Sequence, residues 1–265
     1  SGINTGSGDI ILTGNEIDLI GDFYSVRGTG NILIQPSDFN QNITLAGSTD
    51  SGAGTLDLTG EDFLRLPGGF KSITIGRTDG SGIVTINEIS VLSILPIIFR
   101  SPVTIQGGSI TGTGKIEAVY NASITLIANQ NISIQDIQLE DSEGNGDIGD
   151  INITAGGNIA VGNLRTSSVY NSGGDISLTS GGIIIADSLD TSGGNDYHIG
   201  NANGGNINLE AQGDIIINQG VSLFSGATFE SLGETTISAT VIGPDGQPIP
   251  SNPNPEPLGA DGNSN

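Results

Sequence analysis

The sequence predicts an all-β fold, a parallel β-helix (β-solenoid) of about nine coils, on three observations. A repeat recurs in a fixed frame. Within it apolar residues alternate with period 2 and show no helical period. Composition agrees, with 43 glycines in 265 residues, well above the usual share, and glycine lets a chain turn sharply from one strand face to the next.

Three segments set the frame: GDINITAGGNIAVGNLRTSS from Gly149, GDISLTSGGIIIADSLDTSG from Gly174 and GNINLEAQGDIIINQGVSLFS from Gly205. Two positions after the leading glycine stand Ile151, Ile176 and Ile207, and two further on Ile153, Leu178 and Leu209. Glycine returns at Gly157, Gly182 and Gly213, followed by Ile159, Ile184 and Ile215. A third apolar position holds Leu164 and Leu189, with Val221 one residue late. Such a unit cannot bury its own apolar side, so it must stack on its neighbours.

Taken in chain order, the first strand pairs are Ile10 and Leu12, Ile32 and Ile34, Leu56 and Leu58, Ile73 and Ile75, then Val103 and Ile105. From Ala122 the full frame is present as Ile124, Leu126, Ile132, Ile134 and Ile137. Nine coils at about 4.8 Å per hydrogen-bonded strand make a rod on the order of 40 Å long. Ile, Leu and Val should stack inside, with Thr, Ser and Asn outside; β-branched residues suit such a surface. TTISATVI, residues 235–242, reads as a last coil or cap. The proline-rich segment 243–265 reads as a disordered or extended linker, so residues 1–242 form the repeat domain.

Charge narrows the partners. Seven Lys and Arg against 29 Asp and Glu give a formal charge of −22, which repels phosphate backbones and argues against nucleic acid. An acidic coat also keeps rods from sticking edge to edge. Cysteine is absent, which removes disulfides, a thiol nucleophile and zinc–thiolate sites. No apolar run is long enough for membrane insertion, since SVLSILPIIF at 90–99 is short and contains Pro96. The opening SGINTGSGD reads as the inside of a longer protein, with any export signal outside it.

Two stretches offer site residues. In DIQLEDSEGNGDIGD, residues 136–150, Asp141, Glu143, Asn145 and Asp147 surround Gly146 in a pattern like the start of a calcium loop. Asn152 stands where an EF-hand has its bidentate Glu, and a solvated loop between coils is the alternative reading. Calcium is the one cofactor this suggests. The second stretch, SGGNDYHIGNANGG, carries Tyr197 and the single histidine, His198, in an insertion that reads as a ligand-contacting loop or as simple length variation. One histidine without a serine elbow supports no Ser-His-Asp triad. The sequons at Asn42, Asn121, Asn131 and Asn152 follow from composition, and no threonine column of the ice-binding kind is evident.

SPVTIQGGSITGTGKIEAVYNASITLIANQNISI (101–134), the repeats at 149–168 and 173–195, GGNINLEAQGDIII (204–217) and GTLDLTGEDFLRLPGGFKSITIGRTDGSG (54–82) resemble filamentous-haemagglutinin-like proteins exported by two-partner secretion. The likeness is to the β-strand-repeat surface proteins of cyanobacteria. It implies a right-handed parallel β-helix in a long extracellular stalk, used for adhesion or surface assembly. The family's amino-terminal N-P-N signature has no counterpart here except Asn252–Asn254, in the tail.

The resulting expectation is a non-enzymatic structural or adhesive segment of a secreted cell-surface protein, engaging a glycan or cell-surface receptor and associating end to end into filaments. A carbohydrate-active β-helix, lyase or hydrolase, is the alternative from a different class. It would need two carboxylates across a groove and aromatic platforms, for which 7 Phe, 4 Tyr and no Trp give little material. A calcium-stabilised adhesin rod is a third reading.

Overall fold

The computed structural model describes residues 2–47, 52, 54–66, 68–90, 94–95, 97–140, 148–196, 200–201, 203–222, 227–237, 241–242 and 248–249. It is a parallel β-helix. One face is a sheet of nine strands, Ile10–Thr13, Asn31–Gln35, Ser72–Gly76, Val103–Gly107, Ile124–Ala128, Ile151–Ala155, Ile176–Ser180, Ile207–Ala211 and Ala227–Ser231, each pairing in parallel with the next. The second and third faces belong to a sheet of 14 strands.

Register confirms the frame. Ile151 lies opposite Ile176 and Ile176 opposite Ile207, while Ile153, Leu178 and Leu209 stack beside them. On the second face Ile159, Ile184 and Ile215 are partners, and on the third Leu164, Leu189 and Val221. These side chains form one continuous buried core. Burying each is worth about 1.5–3 kcal/mol relative to exposure, so the ladders hold the coils together. The late position of Val221 is a β-bulge: register shifts between Ala186 and Ser188, which faces Gly220. Gly220 has φ +146°, a conformation that admits the extra residue without a Cβ clash.

The frame's leading glycine has a steric cause. A Cβ on Gly174 would lie 2.0 Å from the carbonyl oxygen of Gly149, and one on Gly205 2.0 Å from that of Gly174. Backbones of successive coils touch at this corner, leaving no room for a side chain.

One coil is assigned differently from the sequence reading. Leu56 and Leu58 do not open a coil on the nine-stranded face; strand Thr55–Leu58 is the edge of the second sheet, parallel to Asn42–Leu45. The ninth strand of the first face is instead Ala227–Ser231. Period-2 alternation looks the same on either sheet, so it could not tell the two apart. Strand Thr55–Leu58 leads into a single helical turn, Gly60–Phe63, whose Phe63 packs edge to face on Phe99 with ring centroids 5.7 Å apart. Asp62 binds this turn to the first coil: its carboxylate accepts hydrogen bonds from the amides of Leu19 (3.0 Å) and Thr59 (2.8 Å) and from the Thr59 hydroxyl (2.7 Å).

Near the other end, Thr235–Ile237 and Val241–Ile242 both pair with strand Ile215–Ser222, which continues the solenoid as the sequence suggested. Pro248–Ile249 turns back antiparallel onto Val241–Ile242, so the segment read as linker contains two paired residues.

Candidate functional site

All the long connections in the regular part of the rod leave from one corner, where the third face ends and the next coil's first face begins. Both candidate stretches belong there. Asp141, Glu143, Asn145 and Asp147 fall between strands Ile137–Glu140 and Ile151–Ala155, and Tyr197 and His198 fall between Ile184–Asp190 and Ile207–Ala211. These six residues lie outside the described residues. The flanks of the second stretch, Asn195–Asp196 and Gly200–Asn201, pair antiparallel with each other. Among the described residues no group of three or more His, Cys, Asp or Glu is placed to hold a metal ion.

What the sequence did not reveal is how this corner tolerates insertions. The third-face position that is apolar in earlier coils, at Phe99, Ala118 and Leu139, becomes Thr166 and then Thr191, both fully buried. Each threonine clasps the neck of its own loop. Thr166 donates its hydroxyl to the Gly174 carbonyl while the Gly174 amide donates to the Thr166 carbonyl (3.0 Å). Thr191 does the same with Gly205, at 2.9 and 2.8 Å. The clasp spans 8 residues in the first case and 14 in the second, so loop length changes while the rod beneath does not. A buried hydroxyl without a partner would cost about 1–3 kcal/mol. Closing the neck removes that cost and satisfies a backbone carbonyl.

The loop between Thr166 and Gly174 is shaped by Ser168, whose hydroxyl accepts the amides of Tyr170 (3.2 Å) and Asn171 (2.8 Å). Val169 and Tyr170 are left exposed. Two coils earlier, Tyr120 is exposed at the same corner, with φ +58° at Tyr120 and +62° at Asn121. Left-handed backbone at consecutive non-glycine residues is costly and marks a tight turn held by its surroundings. Asp190 fixes the neighbouring turn, accepting from the Ser192 amide (3.1 Å) and hydroxyl (2.7 Å) and lying 3.5 Å from Arg165 Nε.

A second feature reads in the sequence only as turn residues. Just before three consecutive first-face strands a polar side chain caps the next coil: Ser123 Oγ accepts the Asp150 amide (2.9 Å), Asp150 Oδ1 the Asp175 amide (2.9 Å), and Asp175 Oδ1 the Asn206 amide (2.6 Å). These partners are 27, 25 and 31 residues apart. The ladder therefore measures coil length directly. A parallel ladder runs before the second face, from Asn131 to the Asn158 amide (2.8 Å) and from Asn158 to the Ile183 amide (3.0 Å).

Carboxylates also meet across coils. Glu210 and Glu230 are register partners on the outer side of the nine-stranded sheet, both exposed. Short columns of threonine exist where none was expected: Thr74, Thr104 and Thr125 on the first face, and Thr44, Thr85 and Thr111 on the second. Each ends after three coils, which is why spacing along the sequence did not expose them. Comparison with protein-family models, with curated proteins and with solved structures finds no match to this chain.

Proposed function

We propose that this chain is a structural and adhesive stalk segment of a secreted cell-surface protein, with no catalytic role of its own. The observation that carries the reading is the division of labour in the rod. Unbroken apolar ladders supply length and stiffness, and one corner accepts loops of different length through the same threonine clasp. A scaffold of this kind extends a surface without altering what it displays. The formal charge of −22 keeps neighbouring rods apart along their sides. Association of rods end to end into filaments belongs to the same reading.

The test is topological. An antibody raised against the chain should label intact cells of the source organism, and external protease should remove the label. Labelling that requires permeabilised cells would overturn the reading.

A further inference from the structure

The acidic residues of this chain are not spread evenly. On the nine-stranded sheet, the outward positions of seven consecutive strands, from Ile10–Thr13 to Ile176–Ser180, hold hydroxyl, amide, glycine and aliphatic residues and no charge. Thr74, Thr104, Thr125, Asn152 and Ser177 form one column in register. Thr154 and Thr179 are partners in the column beside it. Past that point charge enters these columns at Glu210 and Glu230, and three carboxylates, Asp9, Asp150 and Asp175, border the strip just before its strands.

Size selects the occupant. Six strand spacings of about 4.8 Å and two outward positions about 7 Å apart make a strip roughly 30 Å by 7–10 Å. That is on the order of 200–300 Å², well short of the roughly 800 Å² per partner of a stable protein interface. A second copy of the rod is therefore a poor fit, and a single extended polymer is a good one. An extended peptide normally binds by adding to a sheet edge through its backbone, but here the strand amides and carbonyls are used within the ladder. What the strip offers is side-chain hydroxyls and amides, which both donate and accept, at a regular spacing. A polyanion finds no counter-charge on it and is repelled by the carboxylates of Asp9, Asp150 and Asp175 at its border.

We infer that this strip binds a strand of uncharged polysaccharide lengthwise along the rod. The inference rests on the adhesive reading above and adds the ligand class. Each contact is weak, and affinity comes from repetition along the polymer.

Affinity electrophoresis in native gels containing hydroxyethyl cellulose, dextran or polygalacturonate tests it on the whole chain. At least one of the two neutral polymers should retard the protein, with retardation unchanged as salt is raised to about 0.5 M, because no charge pair is being screened. The double variant Asn152→Glu, Thr154→Glu places charge on two exposed positions mid-strip and should weaken retardation roughly tenfold or more, about 1.4 kcal/mol. Ser133→Glu, exposed on the second face, should not, and far-UV circular dichroism of both variants should match the parent. No retardation by either neutral polymer, or equal loss in both variants with the fold intact, would overturn the inference. So would retardation by polygalacturonate alone that salt abolishes. None of these outcomes bears on surface labelling, so the stalk reading stands or falls separately.

Discussion

The coils from Ile124 to Ile217 and the amino-terminal end of the rod solve the same problem by opposite means. In the regular coils each turn is tied to the one beside it: one coil's Ser, Asp or Asn caps the next, and a threonine closes the loop necks at Gly174 and Gly205. At the amino-terminal end a later segment closes an earlier coil. Strand Thr55–Leu58 lies on the far side of Asn42–Leu45 from the rest of the sheet. The turn after it holds residues 19–26 through Asp62 and through backbone bonds from Tyr24 to Leu64 and from Val26 to Arg65. Repetition makes the middle modular, whereas the end is a unit in which distant residues depend on one another.

The largest effect should come from breaking the end. Asp62→Ala removes an acceptor shared by three donors and leaves the buried amide of Leu19 without its carboxylate. We expect a loss of about 3 kcal/mol, the upper range for a hydrogen bond to a charged group. Hydrogen exchange should show amides near Leu19, Tyr24 and Val26 opening well before those of Ile151–Ala155. Uniform loosening along the rod would mean that the end and the middle are one cooperative unit after all.

A smaller effect is expected in the middle. Thr191→Val keeps the shape but removes the hydroxyl that closes the loop neck at Gly205, at a cost of about 1 kcal/mol for one neutral hydrogen bond. Denaturant melts should show that loss, and hydrogen exchange should place it between Asp190 and Asn206. If the destabilisation reached the Asp62 turn, the modular picture of the middle would fail.

The smallest effect concerns the half-buried Arg77 and the exposed Asp79, whose side chains meet through two bonds of 2.8 and 2.9 Å between the regions. The hydrogen bond from Arg77, aided by its charge, holds the Asp79 carboxyl below the usual carboxylate range despite some desolvation, and Asp79 in turn raises Arg77. A carboxyl depressed in the folded state contributes stability above its unfolded pKa and loses it as pH falls through the folded one. NMR titration should find Asp79 protonating at lower pH than an ordinary aspartate, with the shift reduced in Arg77→Gln. Because the pair lies at the surface with Asp79 open to solvent, its contribution to stability is small and screened by salt.

The regular coils could be read in the sequence because the signal repeats. Ile159, Ile184 and Ile215 were aligned from spacing alone, and even the late Val221 marked a real bulge at Gly220. Leu56 and Leu58 differ from expectation because alternation names the buried side of a strand and not the sheet it joins. Thr166 and Thr191 carry no sequence signal of their own, because a threonine after a strand resembles any polar turn residue. Only the stacked apolar column of Phe99, Ala118 and Leu139 makes their burial visible.

By itself the sequence determined that the chain is a stack of short parallel strands around an aliphatic core, since a repeating local pattern needs only its own period to be recognised. Tertiary structure decided which strand lies beside which at the amino-terminal end, where the loop necks close, and that uncharged outward positions line up over seven strands of one sheet. Those properties depend on neighbours from 8 to 43 residues away along the chain. Where coil length varies, only the folded register brings such residues side by side.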